Sequence, residues 1–335
     1  MIHAYAAHAP NTPLKPFQYE PGPLGPEDVE IAVQYCGICH SDLSMLHNHW
    51  QMSAYPLVAG HEVVGRVAAK GERVAHLAIG QSVGLGWFSR SCRSCEFCND
   101  GDFNLCTTNE QTIVGRHGGF ADRVRCHGAW ATPLPTGISL QSAGPLFCGG
   151  ITVFNPLVQF DVRPTDRVAV IGIGGLGHMA LRFLEAWGCE VTAFSSNPAK
   201  ADEIRAMGAH HIVDSRDANA LAKIAGSLDF ILSTVNVPLN WEAYMGTLRP
   251  RGRLHLVGAV PEPIGVAAFP MIVGQKQLSG SPLGSPNTTR RMLEFCARHK
   301  IEPTVEVFPI AKVNEAIAHL EAGKARYRVV LEVAR

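Results

Sequence analysis

Arg167-Val-Ala-Val-Ile-Gly-Ile-Gly-Gly-Leu-Gly177 is the stretch on which the fold turns. Arg167–Gly172 reads as a buried strand, and Leu176–Trp187 carries a helical pattern. Between them lies Gly172-x-Gly174-Gly175-x-Gly177, a G-x-G-x-x-G string directly after a strand and opening a helix. In that context it is a dinucleotide fingerprint. Gly172 permits the tight turn, Gly174 lets the backbone approach a pyrophosphate, and Gly177 lets the helix pack closely on the sheet. The phosphates then face unpaired N–H groups at the helix start. Out of that context the string is only a tight turn between strand and helix.

Working outward, Gly188 stops the helix where a left-handed cap is cheap. Glu190–Phe194 is the next strand, and Asn197-Pro198 sets a capping side chain before a proline at the first helical position. His211–Asp214, Phe230–Val235, Leu254–Val257 and Gln277–Gly280 are further strands, so about six parallel strands make one doubly wound sheet. The second strand speaks to the cofactor. An NAD site ends it with Asp or Glu on the ribose 2′-hydroxyl. Here it ends Phe194-Ser195-Ser196-Asn197-Pro198-Ala199-Lys200. Two hydroxyls, a helix start and a lysine suit an added phosphate, so NADP(H) is expected; the bland alternative is an ordinary polar helix start.

The first ~150 residues are different, with short β-rich runs (Val29–Tyr35, Val63–Val67, Ala121–Val124) broken by Gly, Pro and Asn. Within them Cys92, Cys95, Cys98 and Cys106 are spaced C-x2-C-x2-C-x7-C. Four thiolates this close surround one tetrahedral zinc at ~2.3 Å per bond, a closed site that folds a lobe and does no chemistry. The disfavoured alternative is two disulfides, since the opening lacks the basic-then-apolar layout of a secretory signal.

A second set is scattered. Cys39 stands in Tyr35-Cys-Gly-Ile-Cys-His-Ser-Asp42, His61 beside Glu62, and Cys148 just before the pattern changes near Gly149. Two thiolates and one imidazole leave a fourth zinc position open to water or substrate oxygen. Spacing alone does not establish this site. Cys36-Gly-Ile-Cys39-His40 is formally a c-type haem attachment motif or a C-x-x-C redox pair, and Cys148 alone reads as a small core residue. Cys126, Cys189 and Cys296 fit that last description.

At 335 residues two domains are expected. Lys+Arg and Asp+Glu are 29 each, a balance that suggests neither nucleic acid nor an anionic membrane as partner. No segment approaches ~20 apolar residues. Ten cysteines without an export signal point to metal or catalysis in a reducing, cytoplasmic setting.

Taken together, YCGICHSDLS, PLVAGHEVVGRV, the four-cysteine run, AGPLFCGGITVF, VAVIGIGGLGH, EVTAFSSNPAK and GKARYRVVLE resemble the zinc-dependent medium-chain alcohol dehydrogenases, within them the cinnamyl-alcohol-dehydrogenase-like group and its NADPH-dependent aldehyde reductases. The resemblance spans essentially the whole chain. It implies a mostly β, GroES-like catalytic domain over 1–149 and 284–335 and a Rossmann domain over 150–283. It implies a catalytic zinc on Cys39, His61 and Cys148, with Glu62 able to replace water on the metal and Asp42 fixing the His61 tautomer. Ser41 passes the proton between substrate oxygen and cofactor ribose, His40 lies by the pyrophosphate, and Thr152 touches the nicotinamide. Cys92, Cys95, Cys98 and Cys106 hold the structural zinc. The implied reaction is reversible reduction of aldehydes to primary alcohols, and dimers form by joining nucleotide-domain sheets, here at Leu278–Gly280. One departure is Ser44, where many relatives carry the histidine that passes the proton to solvent; water, His47 or His49 then completes the relay. Trp50, Trp87, Phe88 and Ile113 are offered as pocket walls, and each reads equally well as core. A polyol dehydrogenase and a nucleotide-binding sensor are the competing readings.

Overall fold

The strand Arg167–Ile171 lies at the centre of a six-stranded sheet in which every pairing is parallel. Numbered as they occur in this part of the chain, the strands stand in the order 3-2-1-4-5-6, from His211–Asp214 at one edge to Gln277–Gly280 at the other. This is a computed structural model, and it describes residues 1–333; Ala334 and Arg335, the end of the C-terminal segment expected to join the first domain, lie outside the described residues. The chain divides into two compact units, Met1–Ile151 with the segment from Leu283, and Thr152–Pro282.

In the second unit the fingerprint glycines behave as their chemistry asks. Gly172 has φ +87, which a side chain resists. A Cβ on Gly177 would fall inside the carbonyl oxygen of Gly172, so only glycine lets the helix Gly177–Trp187 start that close to the strand. The register pairs Ile171 with Phe194, so Ser195 ends its strand beside the glycine turn. Gly188, at φ +98, closes the helix and donates its N–H to the Glu185 carbonyl.

The first unit is built on a seven-stranded sheet around Asp28–Ile38. One side of this long strand pairs with Glu62–Lys70; the other is shared between Arg123–His127 and the C-terminal strand Arg328–Glu332. Ile31, Val33, Ile38, Val63, Val67, Val83, Phe120, Val329 and Leu331 fill one buried core. Several boundaries differ from the sequence reading, as where Phe230–Val235 runs Leu228–Ser233 and Val29–Tyr35 runs Asp28–Ile38; two of them have a plain physical reason. The strand expected at Ala121–Val124 runs Arg123–His127, because Asp122 is occupied with the backbone of His3 and Val33 while Ala121 makes only a bridge to Ala4. The strand expected from Leu254 begins at Leu248, through an Arg-Pro-Arg-Gly run that local propensity speaks against; pairing to Leu228–Ser233 overrides it. Phe88 and Ile113, offered as pocket walls, are buried members of the core.

His255 is fully buried in the second unit, its Nδ1 and Nε2 each 2.9 Å from a serine hydroxyl, Ser279 and Ser281. Burial, with Arg253 adding to it, holds its pKa down to about 4. Above about pH 6.5 folded and unfolded histidines are both neutral; below it the unfolded chain takes up a proton that the folded chain refuses. Stability is therefore full at neutral pH and falls as the pH drops from about 6.5 towards about 4. Denaturant midpoints across this range should fall less steeply in His255→Gln, by up to one proton, about 1.4 kcal/mol per pH unit.

Candidate active site and metal centres

Cys39, His61, Glu62 and Cys148 come together although 109 residues separate the two cysteines. Their ligand atoms lie within 4.8 Å of one another, and all four residues are buried. Each arrives on a different element. Cys39 is the N-cap of the helix His40–Leu46, His61 precedes and Glu62 opens the strand Glu62–Lys70, and Cys148 ends the 3-10 turn Gly144–Phe147. Cys39 Sγ is 3.7 Å from Cys148 Sγ, and His61 Nε2 is 3.3 Å from Cys148 Sγ. A zinc tetrahedron with ~2.3 Å Zn–S bonds has S···S edges of roughly 3.8 Å and S···N edges of roughly 3.6 Å. The donor set therefore fits a zinc ion in chemistry and in spacing. The Glu62 Oε2 atom is buried without a hydrogen-bond partner, an orphan acceptor next to the cluster.

Asp42, fully buried, organises these ligands. Its Oδ2 accepts from the Cys39 N–H (2.9 Å), and its Oδ1 accepts from the Gly60 N–H (2.8 Å) and from His61 Nδ1 (3.0 Å). The proton on Nδ1 leaves Nε2 as the lone-pair nitrogen facing the sulfurs. Trp87 stands edge-on to the His61 ring at 5.0 Å, with Trp50 edge-on to Trp87 at 5.8 Å. Ser41 Oγ lies 3.8 Å from Cys39 Sγ.

Charge is finely divided here. The hydrogen bond shared by the two sulfurs holds Cys39 well below the usual thiol range against burial and pushes Cys148 well above it. Burial opposes charge on His61, but Asp42 and Cys39 outweigh it and raise its pKa. Burial pushes Glu62 up to about 7, and Arg328 pulls it back. Arg328 itself, though buried, is held protonated by Glu62 and the two sulfurs. Both groups are shifted upward, which favours a neutral acid on Glu62 and a charged Arg328; a guanidinium among three acidic groups stays charged, so the pair is ionic. Sequence reasoning missed Arg328. Its one signal was an arginine opening an otherwise apolar terminal strand. The register explains the contact: Gly37 pairs with Glu62 on one side and Val330 on the other, and a Cβ on Gly37 would fall on the Glu62 carboxylate. Arg328 Nη2 pairs with the other oxygen of that carboxylate, Glu62 Oε1.

Cys92, Cys95, Cys98 and Cys106 form the second cluster, also within 4.8 Å. Cys92 Sγ and Cys98 Sγ are 3.9 Å apart, again a zinc–thiolate edge. The N–H groups of Ser94 and Cys95 point at Cys92 Sγ (3.5 and 3.3 Å) and lower its pKa to about 5. No disulfide forms among the described residues.

The remaining expected site residues fall as follows. His40 is exposed at the first turn of its helix, and Thr152 is buried at the start of the second unit. Gly174 has open space where a Cβ would stand. Ser195 accepts from the Asn197 N–H, Asn197 caps Pro198–Lys200 through the Ala199 N–H, and Ser196 is exposed. His47 is engaged on both nitrogens, by Asn11 (2.6 Å) and Glu321 (2.7 Å).

Residues 25–136 match the alcohol dehydrogenase GroES-like domain, and residues 175–298 the zinc-binding dehydrogenase family. An aldehyde reductase of Synechocystis sp. is 58% identical over 331 residues, 99% of this chain and 98% of that protein. Among solved structures, a cinnamyl alcohol dehydrogenase of Sorghum bicolor matches with a TM-score of 0.94 at 36% identity, over 99% of this chain and 97% of the other. The CAD of Helicobacter pylori complexed with NADP(H) gives 0.90 at 29% identity, with coverage of 99% and 97%. With such likeness along nearly its whole length, and both sulfur clusters spaced for zinc, the chain belongs to the zinc-binding medium-chain alcohol dehydrogenases.

Proposed function

We propose that this chain reduces aldehydes to primary alcohols with NADPH, on a zinc ion held by Cys39, His61 and Cys148, and that Cys92, Cys95, Cys98 and Cys106 hold a second, structural zinc. The observation that carries this is the buried set of four donors beside the Ser41 hydroxyl, in a chain 58% identical to an aldehyde reductase. When bound, zinc supplies Lewis-acid polarisation of the carbonyl and the reduced nicotinamide supplies hydride.

The chain's own residues do the rest. Asp42 keeps the Nδ1 proton on His61, so that Nε2 is always the ligand atom. Glu62, with its unpartnered Oε2, is a fourth ligand that can come and go, and Arg328 keeps that carboxylate ionised while it is buried. Ser41, whose Oγ lies beside the Cys39 sulfur, would hold the proton for the new alcohol oxygen, and a bound cofactor's ribose hydroxyl would be the group to restore it. Its outlet to solvent runs through water, His47 or His49; His47 holds Asn11 and Glu321 on its two ring nitrogens. His40 and Thr152 contact the cofactor. In the second unit Gly172, Gly174, Gly175 and Gly177 receive the pyrophosphate, while Ser195, Ser196, Asn197 and Lys200 read the 2′-phosphate, where no carboxylate stands to repel it.

We also propose self-association through the outer edge of Gln277–Gly280. Phe269, Ile272 and Val273, 76%, 72% and 68% exposed on the neighbouring helix Ala268–Gly274, support it. No helix among the described residues is long and apolar enough to cross a membrane. The gathering of six cysteines into two metal-type clusters supports a reducing, cytosolic location.

Initial rates with a medium-chain aldehyde should show chelator-sensitive turnover selective for NADPH over NADH; a protein that binds two zinc ions and NADPH yet turns over no aldehyde overturns the assignment. Ser196→Asp should lower the NADPH/NADH ratio of kcat/KM at least about ten-fold, a repulsion of about 1.4 kcal/mol. Cys39→Ser should abolish turnover in a protein that melts near the wild-type temperature, whereas Cys95→Ser should lower the Tm by several degrees. Phe269→Glu should shift sedimentation from dimer to monomer.

A further inference from the structure

Cys148 reaches His61 on the turn Gly144-Pro145-Leu146-Phe147, all four residues of which are buried and none of which is charged. Glycines determine how closely this turn lies on the sheet. A Cβ on Gly144 would stand 2.6 Å from the Glu62 carbonyl oxygen and 3.3 Å from the Gly37 nitrogen, so the turn rests directly on the backbone that carries Glu62. Phe147, one residue before the ligand, is 3% exposed. Its ring fills the place that a side chain on Gly84 would occupy, and its carbonyl oxygen fills the place of a Cβ on Gly86. Gly84 belongs to the strand Ser82–Leu85, which pairs with Glu62–Lys70 through Leu85↔Val63 and Gly84↔Val64. The notch that grips Phe147 is therefore fixed to the strand that begins beside His61. The cavity bordering Phe147 and Gly86 holds about 20 Å³, room for about one water.

We propose that Phe147, seated in the notch left by Gly84 and Gly86, is the positioning residue for Cys148: it sets that sulfur 3.3 Å from His61 Nε2 and 3.7 Å from Cys39 Sγ, and with it the grip of the centre on its metal. The inference rests on the reading of Cys39, His61 and Cys148 as a metal centre. A ring that only filled core would matter equally for the whole unit. A ring that aims a ligand matters for one metal and spares the other, whose four cysteines lie between Cys92 and Cys106.

The experiment uses the full chain as wild type, Phe147→Leu, Gly84→Ala and the double variant. It measures zinc per chain, the rate of zinc transfer to a chromophoric chelator, the visible spectrum of the cobalt-substituted protein, and the Tm. Phe147→Leu should release one of its two zinc ions about ten-fold faster, with shifted cobalt–thiolate bands, and should keep the other ion at the wild-type rate. Gly84→Ala should release the same ion faster still. The double variant should fall back towards Phe147→Leu, because the shorter side chain makes room for the added methyl. Wild-type release and cobalt bands in folded Phe147→Leu overturn the proposal, and that variant decides alone if Gly84→Ala does not fold. A double variant as leaky as Gly84→Ala also overturns it. A wild-type chain with a single zinc defeats the metal-centre reading itself, whereas two zinc ions and unaffected variants defeat the positioning role alone.

Discussion

Everything at the candidate active site hangs on one buried carboxylate. Asp42 gathers the N–H of Cys39, the N–H of Gly60 and the ring of His61, joining the start of one helix to the loop before one strand. A carboxylate with no solvent exposure is costly unless each oxygen is supplied with donors, and here three are supplied. Two of them are backbone groups of residues at or next to metal-type ligands. Removing the carboxylate would therefore free the helix start, the loop and the imidazole tautomer together. The position of Cys39 and the orientation of His61 are a single structural fact.

The other constraint is closeness, supplied by glycines in the first unit's sheet. Gly37 makes room for the Glu62 carboxylate, Gly144 lets the turn before Cys148 touch the backbone at Glu62, and Gly84 and Gly86 receive Phe147. Two of these contacts, at Gly37 and Gly144, bear directly on Glu62. The C-terminal strand then brings Arg328 to the same carboxylate from 266 residues away. A buried ion pair of this kind adds little stability against an apolar substitute, but it allows a negative ligand to stay ionised in a dry site. Its value is electrostatic and local to the metal-type cluster.

What was legible in the sequence was what is local. The turn from Gly172 to Gly177 is read within one strand–helix junction, and the four-cysteine run is read within one loop. Strand interiors were visible from their apolar runs, and so were both ends of His211–Asp214 and Gln277–Gly280, whereas pairing carried Leu248–Leu256 through Pro250 and Gly252, where local propensity speaks against a strand. The scattered ligands were drawn together only by resemblance, since nothing in the spacing of Cys39, His61 and Cys148 says that they meet. Arg328 and the Phe147 notch stayed invisible for the same reason: each depends on the register of strands far apart in sequence, and a glycine's missing side chain leaves no pattern to read. Phe88 and Ile113 show the converse limit. An apolar residue near a ligand segment is equally suited to core and to pocket, and packing put both in the core.

The two sulfur clusters differ in how they are prepared. Cys92 is exposed, and its thiolate is stabilised by the N–H groups of nearby residues along the loop, Ser94 and Cys95. The loop is also anchored by packing, since Cys98 and Cys106 are buried and Phe103 packs against the core. At Cys39, His61 and Cys148 the ligand atoms are already spaced for a tetrahedron by a helix cap, a strand and a glycine-lined turn that belong to the buried core. Donors fixed by the fold suit an ion that must keep one position open: a helix cap, a strand and a turn can hold three ligands still and leave the fourth to change.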